Sequence, residues 1–132
     1  MSGAAPAGAY APGAHLIEGY GAGGFRFAGM SHVGSILATP KGVGASAAVD
    51  VADLTPDAFH TIFDELTAEP GLIEFVVIGT GRSLARLPRE TAEALRAHAL
   101  RFEAMGTGSA LNMYNVMMDE GRRVAALLIA AP

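Results

Sequence analysis

Apolar positions recur along this chain in two rhythms, one of period two near the N-terminus and one that alternates strand-like and helix-like segments after it. His15 to Tyr20 and Gly24 to Ala28 are short runs of aromatic and branched residues around Gly21-Ala22-Gly23, which predicts a β-hairpin. Phe25 and Phe27 flank Arg26, so the second of these strands has one buried and one wet face. Ser35 to Thr39 reads as a third strand, closed by the turn residues Pro40-Lys41-Gly42.

From Ala45 the pattern changes. A strand near Ala47 to Val51 leads into Asp53-Leu54-Thr55-Pro56, where Thr55 reads as an N-cap and Pro56 as the first helical residue. Phe59, Ile62, Phe63 and Leu66 then share one helical face until Pro70-Gly71 stops the helix. Ile73 to Ile78 is an almost unbroken branched and aromatic run, expected of a central strand covered on both faces. A second helix is expected from Arg89 to Phe102, with Ala92, Leu95, Ala99 and Phe102 inward. Glu90, Glu93, Arg96 and Arg101 form its solvated side. A short strand at Glu103 to Met105, a helix from Ser109 to Met118 with Gly121 as a left-handed cap, and a buried strand from Val124 to Ala130 complete the reading. Two successive strand-helix-strand units imply right-handed crossovers. The expected fold is α/β, with a mostly parallel central sheet, helices packed on it, and an N-terminal antiparallel β unit extending the sheet or lying beside it.

Composition narrows the function classes. A chain of 132 residues, 51% of them hydrophobic, buries roughly two-thirds of its unfolded surface and needs no staple. With no Cys, it has no disulfide, thiolate nucleophile or cysteine metal site. Net charge is −4 and the nine basic residues are dispersed, which argues against a nucleic-acid partner. The apolar stretch Val124 to Ala131 is far shorter than the roughly 20 residues that cross a bilayer, so no transmembrane segment is predicted. Residues 1–13, rich in Ala, Gly and Pro, are expected to form a flexible lead to a single domain over 14–132, with the cytoplasm as default location. Eight Arg against one Lys suggests a high-GC bacterial coding sequence.

Two polar clusters could carry chemistry. Gly79-Thr80-Gly81-Arg82-Ser83 follows the central strand at the edge where open α/β sheets place ligands, and its N–H groups with Thr80, Arg82 and Ser83 could hold an anion. A plain glycine turn is the favoured reading, since the P-loop Lys and a third fingerprint Gly are missing. Glu103-Ala104-Met105-Gly106-Thr107, followed by Ser109, Asn112, Tyr114 and Asn115, could receive an anionic group or simply cap a helix through Thr107 or Ser109. Tyr114 and Asn115 point about 100° apart on a helix, and a buried Asn115 would serve a structural hydrogen bond. None of His15, His32, His60 and His98 stands four residues from another, so no metal site is expected. His32 near Ser31 and Ser35 is the one hint of a hydroxyl-imidazole pair, and Glu18 and Glu103 make no evident acid/base pair. Met105, Met113, Met117 and Met118 read as core filling or as an adaptable contact patch. No catalytic set and no cofactor follow from these residues.

Taken in order, Ile17-Glu-Gly-Tyr20, Ser35-Ile-Leu-Ala-Thr-Pro40, Phe75-Val-Val-Ile-Gly-Thr-Gly81, Phe102-Glu-Ala-Met-Gly-Thr107, Tyr114-Asn115 and Glu120-Gly-Arg-Arg-Val-Ala-Ala-Leu128 resemble the Mth938-like family, the DUF498 group. The resemblance covers roughly residues 15 to 131 and implies a three-layer α/β fold. It implies no catalytic residues. Mitochondrial relatives of that family act in assembling respiratory complex I through protein contacts, so the resemblance implies a non-enzymatic interaction or assembly protein. Its partners would be proteins, subunits of a membrane complex among them, and a homo-oligomer is compatible. The alternative is a small-molecule or anion-binding domain, an enzyme included, that uses residues 79–83. The residues to follow are Gly79, Thr80, Gly81, Arg82, Ser83, Glu103, Met105, Thr107, Tyr114 and Asn115.

Overall fold

The structure, a computed structural model, describes residues 11–131, so the greater part of the expected flexible lead lies outside the described residues. Its last residues do not behave as a lead: β1 (Ala11–Pro12) pairs antiparallel with β6 (Gly42–Ser46), and the Gly13 N–H donates to the Lys41 carbonyl.

The expected hairpin is present and continues into a third strand. β2 (Ile17–Gly21), β3 (Gly24–Phe27) and β4 (Met30–Val33) form a small antiparallel sheet. Both links are two-residue turns, Ala22-Gly23 and Ala28-Gly29, and all four residues have positive φ, at 52°, 79°, 51° and 73°. That conformation matches the twist of the flanking strands and usually selects Asn or Asp before the Gly. Alanine in that place gives no sequence signal, which is why the pattern does not announce β4.

The main sheet has six strands in the order β1-β6-β5-β9-β7-β8, with β5 at Ser35–Thr39, β7 at Phe75–Gly79, β8 at Arg101–Met105 and β9 at Val124–Leu128. It is mixed rather than mostly parallel. β7 is parallel to both β8 and β9, whereas β9–β5, β5–β6 and β6–β1 are antiparallel. The N-terminal β unit therefore does both things expected of it, contributing an antiparallel half to the sheet and a separate small sheet beside it.

Alternation along the inner strands sorts side chains to two cores. Ile36, Ala38, Val77, Val124, Ala126 and Leu128 face one side, where they meet Phe25 and Phe27 of the small sheet and α3 (Thr107–Asp119). Leu37, Val76, Ile78, Ala125 and Leu127 face the other, under α1 (His60–Ala68) and α2 (Arg89–Ala97). Three layers result, and β7 sits in the middle of them with both faces covered. On the α1 side, Phe59 and Ile62 are fully buried, each contributing about 1.5–3 kcal/mol by leaving water, and the Phe63 ring stacks on His98 at 3.9 Å between centroids.

Several boundaries shift by one or two residues, and three differences are larger. The strand placed near Ala47 to Val51 forms earlier, at Gly42–Ser46, because pairing with β5 outweighs the weak strand preference of Gly-Val-Gly-Ala-Ser; Asp50 and Asp53 instead form a capping box on a 3-10 turn at Val51–Asp53. Pro56–Phe59 is a 3-10 turn leading into α1. α2 ends at Ala97 rather than Phe102, since Ala99 turns left-handed at φ 59° while its N–H donates to the Arg96 carbonyl and that of Leu100 donates to Leu95. This closing motif normally carries Gly, so alanine conceals it. α3 ends in the same motif with the expected Gly121, at φ 74°.

Candidate functional site

The glycine loop begins where β7 stops, opposite the first turn of α3. A Cβ on Gly79 would stand 2.8 Å from Thr107 Oγ1, 3.0 Å from Thr107 Cα and 3.1 Å from Leu128 Cδ2, so only glycine lets the helix come this close. Thr107 is fully buried there. Its hydroxyl donates to the Ile129 carbonyl at 2.7 Å and accepts from the Gly81 N–H at 2.9 Å, while its own N–H donates to the Gly81 carbonyl at 2.7 Å. Thr80 makes a second knot. Its N–H donates to the Met105 carbonyl at 2.8 Å, and its hydroxyl lies 2.7 Å from the Ser83 carbonyl and accepts from the Ala85 N–H at 3.2 Å. The Ile129 N–H closes the set on the Gly79 carbonyl at 3.0 Å.

These bonds join the ends of β7, β8 and β9 to the start of α3. The N–H groups of Thr80 and Gly81, which could face an anion, are spent on protein acceptors, and Arg82 and Ser83 stand exposed beside the loop. Thr107 and Ser109 are not caps through their side chains; Gly106 occupies the N-cap, and the Thr107 hydroxyl reaches across to β9.

Met105 and Thr107 thus join Gly79 to Ser83, but Tyr114 and Asn115 work elsewhere. The Asn115 amide accepts from the Ile17 N–H at 2.9 Å and donates to the Ile17 carbonyl at 2.8 Å, pairing with β2 as a neighbouring strand would. One residue earlier, the Tyr114 hydroxyl donates to the His15 carbonyl at 3.0 Å. Burial pushes this phenol above its ordinary range, so it remains a donor. Tyr114→Phe removes one partly buried bond, and its expected cost is about 1 kcal/mol in denaturant unfolding. Glu103 is exposed on β8, the edge strand of the sheet.

The hydroxyl-imidazole hint does not materialise. Ser35 Oγ donates to the Ala48 carbonyl at 2.6 Å and accepts from the Ala130 N–H, while His32 Nε2 lies 3.3 Å from the Ser35 main-chain carbonyl. Met117 is buried, and Met105, Met113 and Met118 pack against the same core, in line with core filling. Among the described residues no group of three or more His, Asp or Glu is placed to hold a metal.

Two carboxyls are perturbed. Glu74 is held below the usual range, chiefly by the Arg123 N–H that donates to it at 3.1 Å, with the Arg123 and Arg122 charges adding to the effect. Glu65, missed in the sequence because it reads as a solvated helix position, is pushed up by burial, against the Thr39 hydroxyl bond and the Lys41 charge. Its Oε1 is buried without a hydrogen-bond partner among the described residues. The unfolded chain therefore ionises first as pH rises, so this group's contribution falls from the ordinary Glu range upward and is lost once pH passes the raised folded value. The stability of Glu65→Gln relative to the native chain is expected to be higher at about pH 7 than at about pH 4, as read by urea unfolding at both.

A family model described as a protein of unknown function (DUF498/DUF598) matches residues 17–129. The chain belongs to this family. An uncharacterised protein from Rhodobacter capsulatus is 37% identical over 91% of this chain and 88% of its own length. The mouse NADH dehydrogenase [ubiquinone] 1 alpha subcomplex assembly factor 3 is 31% identical over 92% of this chain, which spans only 63% of that protein. Among solved structures, one described as an outer membrane protein from Bartonella henselae is 38% identical, with a TM-score of 0.80 over 93% of this chain and 100% of the other. A Bordetella pertussis protein described as a Mth938-like domain is 26% identical, with a TM-score of 0.76 over 87% and 85% of the two chains. The three-layer α/β fold of this DUF498 protein is therefore Mth938-like. No helix among its described residues is long and apolar enough to cross a membrane.

Proposed function

We propose that this DUF498 protein is a non-enzymatic assembly factor that works through protein contacts during construction of a multisubunit membrane complex, a respiratory complex being the favoured client. One observation carries the reading: nearly the whole described domain aligns with a protein named as an assembly factor of NADH dehydrogenase. Thr80 and Thr107, the buried polar side chains at the loop, support it, because their hydrogen-bonding capacity is used inside the fold. With this reading goes a cytoplasmic location. Affinity purification of the tagged chain from gently solubilised native cells tests the function. Co-purification of subunits of one membrane complex is the expected result, and recovery of none above background, with weak complexes preserved by crosslinking, would remove the support. Cell fractionation tests the location, with recovery in the outer-membrane fraction counting against it.

The alternative, anion or small-molecule binding by residues 79–83, draws on the exposure of Arg82 and Ser83 beside the loop. It requires Gly81 and Thr80 to give up the acceptors they now use, at a cost of roughly 1–3 kcal/mol for each buried group left unpaired.

A further inference from the structure

β8 is the outermost strand at its end of the main sheet, and its unpaired edge is self-complementary. The Thr80 N–H donates to the Met105 carbonyl, and β8 runs parallel to β7 in the register Ile78 to Ala104 and Gly79 to Met105. Main-chain groups alternate in direction along a strand, so Arg101, Glu103 and Met105 turn theirs toward β7 while Phe102 and Ala104 turn theirs outward. No hydrogen bond to these outward groups occurs among the described residues. An exposed row of this kind accepts another strand.

The side chains decide which strand fits. Arg101 and Glu103 are both exposed, and neither is in an ion pair among the described residues. If two copies of β8 meet antiparallel about a twofold axis at Phe102, each Arg101 lies directly opposite the second copy's Glu103, in the close non-hydrogen-bonded position about 4.5 Å apart between Cα atoms. Sliding to the next hydrogen-bonded register puts Glu103 opposite Glu103, and like charges there repel. Charge therefore selects one alignment. Because the Leu100 N–H is committed to closing α2, that alignment forms about four main-chain bonds: a mutual pair between the two Phe102 residues, and Ala104 N–H to the Leu100 carbonyl on each side.

We propose that this protein forms an isologous homodimer through β8, joining two six-stranded sheets edge to edge with reciprocal Arg101–Glu103 contacts across the axis. This surface does not depend on the assembly reading, and it gives Glu103 a role that the glycine loop does not.

Sedimentation of the native chain over a concentration range up to about 1 mM tests it, together with Glu103→Arg and the exchanged double variant R101E/E103R. The native chain is expected to form dimers and no larger species. Glu103→Arg places like charges at both cross-strand contacts and is expected to weaken association roughly tenfold or more; the double variant, which restores opposite charges, is expected to recover it. Amide exchange at Phe102 and Ala104 is expected to slow with concentration in the native chain and in the double variant but not in Glu103→Arg, which reads the contact itself. A chain that stays monomeric throughout, a dimer indifferent to Glu103→Arg, a double variant that does not recover, or protection of these amides only by a different protein would each overturn the proposal.

Discussion

Replacing Thr107 with valine is expected to lower the unfolding free energy by about 3 kcal/mol. Valine matches threonine in shape and buries a methyl in place of a hydroxyl, so packing is nearly conserved. What changes is that the Gly81 N–H and the Ile129 carbonyl both lose their partner in a fully buried place. Each orphaned group costs about 1–3 kcal/mol, partly offset by the drier side chain. Against a total stability of roughly 5–15 kcal/mol, the loss is expected to lower Tm by roughly 10 °C. Thr107→Ser, which keeps the hydroxyl, is expected to recover most of it. Calorimetry or urea unfolding of the three chains decides the matter, and a valine variant as stable as the native chain would remove the structural role assigned to this threonine. Gly79→Ala attacks the same junction by crowding, with an expected cost of about 1–3 kcal/mol.

Asn115→Leu is expected to cost about 2 kcal/mol and to act locally. The asparagine amide supplies both a donor and an acceptor to Ile17, so leucine leaves two main-chain groups on the outer edge of β2 unsatisfied. Their partial burial lets water recover some of the loss, which keeps the effect below that of Thr107→Val. Phe25 and Phe27 still anchor the small sheet in the core. Amide exchange in β2 and β3 is thus expected to accelerate while β7 and β9 stay protected, whereas Thr107→Val loosens the main sheet. Uniform acceleration in both sheets after Asn115→Leu would contradict this division.

Much of the fold is legible because long-range packing and local preference agree in its centre. Ile73 to Ile78 announces a doubly covered strand, and the observed β7 lies between two parallel neighbours with Val76 and Val77 facing opposite cores. Phe59 and Ile62 mark the buried side of α1, and Gly121 marks the end of α3. The hidden parts are those where alanine does glycine's work. Ala22, Ala28 and Ala99 hold left-handed conformations that carry no sequence signature, and they conceal β4 and the true end of α2. The position of β6 is hidden for another reason, since partner choice for Gly42–Ser46 rests on tertiary pairing rather than on its own residues.

The polar residues were legible as a set and not as an arrangement. Thr80, Met105 and Thr107 do gather at Gly79 and Gly81, as a shared sheet edge implies. Sequence spacing cannot show that the Thr107 hydroxyl points across to Ile129, 22 residues away, rather than to its own helix. Nor can it show that Asn115 faces Ile17 across 98 residues, which separates the Tyr114-Asn115 pair from the loop.

The glycine loop is an internal hydrogen-bond junction. Two-dimensional amide NMR of the native chain, titrated with phosphate and then with a nucleotide, tests it at the atoms concerned. The Thr80 and Gly81 amides are expected to exchange slowly with solvent and to hold their positions throughout. Saturable movement of those two signals, with or without faster exchange, would place a ligand at the loop and rule out a purely internal role for these amides.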